Sequence, residues 1–233
     1  MAERPLFIPC TTGERLVETQ LVDFEWHPGM AASQKRKSVA SLHQAARDSL
    51  GLERILEVST KSQEALGEAL SAFNLMYTVG STGRQYSLEV IFQSAKVFSH
   101  GGPYLDMRGM SPAEAKQDPR LKESGSLVKF SSGGLDWPLE PPTAFYDWLY
   151  LNILKSQPQL VKQLVGYQAF TDIEFNPKKS INCQAYSVAL FVALDARGIL
   201  QEALSSQQAF LECISSYERG ITTEASSATK SLL

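Results

Sequence analysis

Residues 87–98, SLEVIFQSAKVF, carry the strongest structural signal in the sequence. On a helix, Glu89, Gln93 and Lys96 stand at positions i, i+4 and i+7 and therefore project from one face. Most of the remaining circumference is apolar, which is typical of a buried helix. A carboxylate, an amide and an ammonium group on one stripe of such a helix predict a polar cleft. The same spacing also fits a solvent-exposed face, and the pattern leaves both interpretations open.

Helices and short strands are predicted on both sides of this segment. The predicted helices cover residues 33–50, 62–70, 87–99, from 142 or 143 onward, 158–167, 182–196 and 202–217. Short strands are predicted at 55–58 and 170–175, a turn at 80–83, and a loop at 125–136. These elements indicate an α+β fold that is predominantly helical and has a small β-sheet. Residues 1–217 are predicted to form a single domain, and the Ser/Thr/Ala-rich residues 218–233 a flexible tail.

A second polar segment covers residues 170–185, FTDIEFNPKKSINCQA. If residues 170–175 form a strand, Asp172 and Glu174 share one of its faces. Asn182 lies where the next helix begins, and the free backbone N–H groups of a helix start suit an anion such as a pyrophosphate. A charged sheet edge followed by a capped helix explains the same residues, so this pattern alone does not decide for a site.

Cations and aromatic residues supply further candidates. Lys35 and Lys37 lie near the start of the predicted helix 33–50, where positive charge opposes the helix dipole. Such a conflict is typical of a ligand site, although a solvated basic patch accounts for it equally well. Trp137, in the predicted loop, is the aromatic side chain expected to stack on a base, whereas Trp148 fits core packing.

Composition excludes several classes of protein. The 22 Lys and Arg residues against 25 Asp and Glu residues give a net charge of −3, which argues against a broad basic surface but permits a local basic pocket. Three scattered cysteines and isolated histidines predict neither a disulfide framework nor a metal site. Neither a G-x-S-x-G elbow nor a phosphate-binding P-loop is present. The absence of a long apolar run or signal segment predicts a cytoplasmic protein without a membrane span.

Several of these segments together resemble the NADAR family (NAD- and ADP-ribose-associated proteins, with a YbiA-like fold). Residues 70–74, LSAFN, are similar to the family's L-S-N-F segment, and residues 87–96 to its S-E-H-x-F-Q-x-x-K helix. Asp136-Trp137 resembles an Asp-Trp pair before a helix, Asp172 falls near a family carboxylate, and residues 182–185 stand where the family has N-x-L-G. Over residues 1–215 the chain resembles the branch found beside DarT-type toxins.

The resemblance implies an antitoxin that removes ADP-ribose from ADP-ribosylated guanine in DNA by hydrolysing the N-glycosidic bond. It implies Glu89 as the catalytic carboxylate and Asp172 as a second one, with no metal or cofactor. The substrate-binding residues it implies, taken with the patterns above, are Lys35, Lys37, Ser71, Phe73, Gln93, Lys96, Trp137 and Asn182. A cognate ADP-ribosyltransferase toxin is a further implied partner. Two alternatives remain: an N-glycosidase acting on small nucleotide-like metabolites such as riboflavin-pathway intermediates, and a non-catalytic antitoxin that binds its toxin directly.

Overall fold

Strands and helices alternate along the chain in a computed structural model that describes residues 1–29, 31–178 and 180–217. The strands are β1 (Ala2–Pro9), β2 (Val17–Phe24), β3 (Ile55–Glu57), β4 (Met76–Thr78), β5 (Gln85–Ser87), β6 (Lys96–Phe98), β7 (Leu127–Ser132), β8 (Leu135–Trp137) and β9 (Ala169–Thr171). The helices are α1 (Ala32–Leu50), α2 (Ala65–Ala69), α3 (Leu88–Ser94), α4 (Pro112–Gln117), α5 (Arg120–Glu123), α6 (Ala144–Lys155), α7 (Pro158–Gln163), α8 (Gln184–Ala196), α9 (Leu200–Ala203) and α10 (Gln207–Ser216). A short 3-10 helix spans Leu105–Gly109.

The largest sheet has four strands in the order β2-β1-β9-β3. β1 and β2 form a long antiparallel hairpin. β9 runs antiparallel to β1 and parallel to β3, with Glu57 opposite Thr171. All residues of β3 and β9 are buried, as is usual for parallel strands covered on both faces. Because parallel strands end at the same edge of a sheet, the residues that follow β9 emerge beside Glu57.

Two smaller sheets complete the strand content of the described residues. β4 and β5 form a hairpin, which confirms the predicted turn at 80–83. β6, β7 and β8 form a three-stranded sheet, so the predicted loop at 125–136 is wrong. Gly133 and Gly134, with φ of 59° and 80°, close the β7–β8 hairpin. Phe130 and Trp137 pair across that hairpin, and both aromatic rings are buried. This cross-strand contact stabilises the hairpin, and the Ser/Gly-rich composition of the segment gives no indication of it.

The predicted helix over 87–99 is correct only in its first half. α3 ends at Ser94, and the chain changes into β6, where Lys96 pairs with Phe130 of β7. Val97 and Phe98 favour a strand, and the available partner strand overrides the helical spacing. With three sheets among the described residues, the fold is mixed α/β, and the expectation of a predominantly helical protein is not confirmed.

Other element boundaries differ by a few residues from the predictions. α1 ends at Gly51 in the left-handed conformation (φ 67°), which confirms the predicted helix stop. The strand predicted over 170–175 ends at Thr171, and the helix predicted over 202–217 is divided into α9 and α10. The tail predicted over 218–233 lies outside the described residues. In the described ranges, no helix is long and apolar enough to cross a membrane.

The core is formed where α6 and α8 pack between the sheets. Both helices are buried on nearly every side. Aromatic rings connect α6 to the third sheet and to α3: the Phe145 ring centroid lies 4.8 Å from that of Phe130 in β7 and 6.1 Å from that of Phe92 in α3. Close packing of this kind provides a rigid support for polar side chains carried by neighbouring segments.

Candidate active site

A cavity of about 670 Å³ lies where α3, α4, β6, the start of α8 and the segment after β9 meet. This volume is in the range of pockets that bind small molecules and cofactors. Its lining comprises Thr60, Lys61, Ser71, Ala72, Phe73, Glu89, Phe92, Gln93, Lys96, Lys116, Leu127, Phe130, Leu139, Thr143, Tyr146, Asp172, Glu174, Phe175, Ser180, Ile181, Asn182 and Gln184. Seven of the ten residues proposed from the sequence are in that set: Ser71, Phe73, Glu89, Gln93, Lys96, Asp172 and Asn182.

Glu89 is a buried carboxylate held in a defined position. It lies in the first turn of α3, a helix that begins at Ser87, whose Oγ accepts a hydrogen bond from the backbone N–H of Val90. Glu89 Oε1 accepts a hydrogen bond of 2.8 Å from Gln93 Nε2 and lies 3.7 Å from Lys116 Nζ. The Glu89 side chain is only 7% exposed. A charged carboxylate in such a place requires these partners, and a ligand in the cavity meets it with little competition from water.

Gln93 presents an unpaired acceptor. Because an ionised carboxylate only accepts hydrogen bonds, the Gln93 amide turns its N–H₂ towards Glu89, and its orientation is thereby fixed. The opposite atom, Oε1, is buried and has no hydrogen-bond partner among the described residues. A buried acceptor left unpaired costs about 1–3 kcal/mol. A hydroxyl or N–H donor on a ligand in the cavity would remove that cost.

Lys96 is a half-buried cation at the start of β6. Burial lowers its pKa to about 8, the charge of Glu89 partly offsets that effect, and the charge of Lys116 adds to it. Its Nζ lies 5.1 Å from the ring centroid of Phe92. The amine is therefore mostly protonated at pH 7 but loses its proton far more readily than an exposed lysine.

Asp172 is the second buried carboxyl group at the cavity. Its Oδ1 accepts hydrogen bonds from the backbone N–H groups of Glu174 (3.0 Å) and Phe175 (3.2 Å). Burial raises the pKa of Asp172, and the negative charge of Glu174 adds to this, while the backbone N–H groups and the Gln184 side chain oppose it. A carboxyl group of this kind holds its proton closer to neutral pH than an exposed aspartate does.

The segment 71–73 is fastened between two helices. The backbone N–H of Ala72 donates to Gln184 Oε1 at 2.7 Å, and the Ala72 carbonyl accepts from the N–H of Glu89 at 2.9 Å. Phe73 faces Lys116, with 5.4 Å between Nζ and the ring centroid. The segments that carry Glu89, Phe73 and the start of α8 are thus connected by direct hydrogen bonds, which fixes the geometry of this wall.

Trp137 does not fulfil its predicted role. Its side chain is fully buried at the end of β8, 4.9 Å from Trp148 between ring centroids, and it does not line the cavity. The expected stacking platform for a base is therefore wrong, because strand pairing turns this ring into the core. Lys35 and Lys37 lie on α1 and are also outside the cavity lining; Lys35 Nζ sits 4.7 Å from the ring centroid of Trp26.

Other lining residues were not found from the sequence. Lys61 and Lys116 place two further cations at the cavity, and Lys61 Nζ lies 3.9 Å from a Glu174 carboxylate oxygen. No local pattern marks either lysine, because each reaches the cavity only through the packing of its segment. Glu57, which does not line the cavity but contacts Thr171 and Ile173 on either side of Asp172, did leave a signal in the sequence: it is a carboxylate inside the short apolar run 55–58. Across the described ranges, no group of three or more His, Cys, Asp or Glu side chains is placed to hold a metal ion.

A protein-family model described as the DarT1-associated NADAR antitoxin matches residues 2–224. The chain belongs to this family. No protein in a search of curated proteins matches it. The resemblance to NADAR proteins seen in the sequence is thus confirmed, and the association with a DarT1 toxin is part of the family's description.

The NADAR segments of this chain converge on the cavity. Residues 70–74 and 182–185 contribute Ser71, Phe73 and Asn182, and α3 with β6 contributes the predicted carboxylate, amide and ammonium groups. The Asp136-Trp137 pair is the exception, since Trp137 packs in the core and Asp136 bonds to Lys129 on the surface. Most of the sequence features that identify this NADAR protein therefore line one pocket.

Proposed function

We propose that this NADAR protein is a hydrolase that removes ADP-ribose from ADP-ribosylated guanine bases in DNA and so acts as the antitoxin to a DNA ADP-ribosyltransferase. The observation that carries the proposal is the convergence of Glu89, Gln93, Lys96 and Asp172 in one cavity of about 670 Å³. The cavity suits one modified nucleotide, which agrees with a protein of net charge −3 that lacks the composition for broad DNA binding.

The reaction breaks the bond between C1 of the ADP-ribose ribose and the guanine nitrogen. The bond's electron pair leaves with the guanine, which takes up a proton, and a water molecule supplies a hydroxyl group to the ribose carbon. The ribose passes through an oxocarbenium-like state, which the nearby carboxylate of Glu89 stabilises and towards which it directs the water. Asp172, with its raised pKa, is the group suited to give the leaving guanine a proton.

The remaining polar groups bind the ADP-ribose part. Lys96 and Lys116 supply positive charge for the pyrophosphate, and Asn182 lies beside the start of α8, where backbone N–H groups favour anions. Gln93 Oε1 is the acceptor for a ribose hydroxyl group. Ser71 and Phe73 also line the cavity, and the Ser71 hydroxyl, which already donates to the Glu68 carbonyl at 2.7 Å, contributes by shape.

The direct test uses an oligonucleotide carrying ADP-ribosylated guanine. We expect the protein to release free ADP-ribose and unmodified DNA, and Glu89→Gln to lower the rate at least about 10²-fold, the lower end of general acid–base contributions. Glu123→Gln, on the exposed face of α5, is the matched control and should react like the wild type. A lack of ADP-ribose release by the folded wild-type protein would refute the proposal.

Toxin neutralisation separates the catalytic antitoxin from its alternatives. In cells expressing the cognate toxin, rescue by the wild type but not by Glu89→Gln supports removal of the modification. Rescue by both, together with a stable toxin complex, indicates direct binding. Turnover of free nucleotide-like metabolites with none on modified DNA indicates the small-molecule N-glycosidase.

A further inference from the structure

A buried carboxyl group that does not line the cavity contacts both chain neighbours of Asp172. Glu57 Oε2 accepts a hydrogen bond from Thr171 Oγ1 at 2.7 Å, and Glu57 Oε1 accepts one from the backbone N–H of Ile173 at 2.9 Å. Glu57 is 2% exposed, although it lies at the end of an otherwise apolar strand. Asp172, which does line the cavity, is the single residue between these two contacts.

Further contacts hold Glu57 itself. Ser59 Oγ donates to Glu57 Oε1 at 2.6 Å, and the N–H of Val58 donates to the Thr171 carbonyl at 2.7 Å. Gly67 of α2 packs so closely on this strand that a Cβ atom there would lie 1.9 Å from the Glu57 carbonyl oxygen. The Glu57 carboxyl group is therefore held in one position, and its hydrogen bonds restrict the residues on either side of Asp172.

A histidine extends this arrangement. His43 Nε2 of α1 lies 2.8 Å from Thr171 Oγ1, and burial together with the charge of Arg47 lowers the His43 pKa to about 4. The neutral ring donates through Nε2 to Thr171, and Thr171 donates to Glu57. His43, Thr171 and Glu57 thus form one continuous chain of hydrogen bonds.

We propose that Glu57 is a positioning residue: its carboxyl group holds Thr171 and Ile173 and thereby fixes the Asp172 side chain in the cavity. This inference rests on the proposed function, in which Asp172 protonates the leaving guanine. An acid must lie within hydrogen-bond reach of the atom that it protonates, and a displacement of about 1 Å costs roughly 10²-fold in rate. Glu57 satisfies that requirement without touching the substrate.

The two carboxyl groups also interact through their charge. Burial raises the pKa of Glu57, and the negative charge of Asp172 raises it further. Several other groups face this pair. They are Glu174 after β9, Arg4 from β1, Tyr146 and Tyr150 from α6, Cys183 before α8, and His43 through Thr171. Because these groups are unchanged in a Glu57 variant, a change in the titration of Asp172 there reports on Glu57.

Two substitutions separate positioning from general stability. In Glu57→Gln, the amide oxygen keeps the acceptor for Ile173 and the amide N–H₂ donates to Thr171, whose hydroxyl then turns to a His43 nitrogen. This variant should retain the geometry, most of the activity and the Asp172 limb of the pH–rate profile, because a neutral amide replaces a carboxyl group that burial and the charge of Asp172 already favour in its neutral form. Glu57→Leu removes the acceptors and should lower the rate at least about 10-fold.

A double-mutant cycle with Asp172→Asn tests whether Glu57 acts through Asp172. We expect Glu57→Leu to have little further effect on the rate in the Asp172→Asn protein, whereas equal losses in both backgrounds would overturn the inference. If Glu57→Leu does not fold, Thr171→Val, which removes one of the two contacts, replaces it in the cycle.

NMR titration of the Asp172 side-chain carboxyl carbon provides a readout that does not depend on activity. A changed Asp172 pKa in Glu57→Leu, which removes the contacts to Thr171 and Ile173, together with a near-wild-type value in Glu57→Gln supports the inference, and an unchanged pKa in Glu57→Leu overturns it. Failure of the wild-type protein to release ADP-ribose would refute the proposed function alone, while this titration still decides whether Glu57 controls Asp172.

Discussion

The lowered pKa of Lys96 gives the protein a pH dependence that can be measured on ligand binding alone. Burial lowers the Lys96 pKa from 10.5 to about 8. Relative to the neutral amine, the charged ammonium form is therefore less stable at this position than in water by roughly 3 kcal/mol. The diphosphate of ADP-ribose compensates for part of that cost if Lys96 contacts it. The protonated form then binds the ligand, and the neutral form does not.

The expected magnitude follows from the pKa of about 8. At pH 7 about 90% of the Lys96 amine is protonated, and at pH 9 about 10% is. The dissociation constant of ADP-ribose should therefore rise by up to about 10-fold between pH 7 and pH 9. Binding above pH 8 should also take up a proton, because the ligand raises the Lys96 pKa.

Isothermal titration calorimetry at pH 7 and 9, in buffers of different ionisation enthalpy, measures both quantities. Lys96→Arg is the matched control: its guanidinium stays charged, so the part of the pH dependence due to Lys96 should vanish, while that of Asp172 remains. The reasoning is refuted if wild type and Lys96→Arg share one pH dependence. It is also refuted if Lys96→Arg abolishes catalysis while the wild-type rate increases through pH 8, because the neutral amine would then be the reacting form.

Two further variants test the role of the Gln93 side-chain amide in ligand binding and the role of the Trp137 ring in stability. Gln93→Leu should weaken ADP-ribose binding about 10-fold in calorimetry, because the ligand loses the acceptor at Oε1; unchanged affinity would show that Oε1 does not meet the ligand. Trp137→Ala should lower the free energy of unfolding by about 3–5 kcal/mol in chemical denaturation, since the ring fills the core beside Trp148. If Trp137→Ala instead keeps the wild-type stability but binds the ligand more weakly, Trp137 stacks on the ligand as predicted from the sequence.

The sequence predicted the cavity better than it predicted the fold around it. Glu89 and Gln93 are four residues apart on α3, so helical spacing alone brings them together, and the structure adds their 2.8 Å hydrogen bond. Lys96 joins them for a different reason: the helix has ended, and the pairing of β6 with β7 directs its side chain to the cavity. Lys96 thus lines the cavity although its secondary-structure element was predicted wrongly.

The errors arise from long-range strand pairing. Residues 125–136 show loop composition, but they contain β7 and most of β8, which pair with each other and, through β7, with β6. The same pairing determines that Trp137 is buried, which no local pattern shows. The proposed role of Glu57 could not be predicted from the sequence either. Glu57 and Thr171 are 114 residues apart, and only the parallel pairing of β3 with β9 brings Glu57 close to Asp172.

The charges of the cavity are compatible with a dianionic ligand in a protein of net charge −3. Lys61 and Lys116 each lie within 3.9 Å of a carboxylate, those of Glu174 and Glu89, and are partly neutralised. Lys96 has no carboxylate at ion-pair distance among the described residues. A pyrophosphate beside Lys96 would therefore form an ion pair that the described residues do not supply, whereas a contact with Lys61 or Lys116 would compete with an existing one. The raised pKa of Asp172 acts in the same direction, because its protonated form does not repel the ligand.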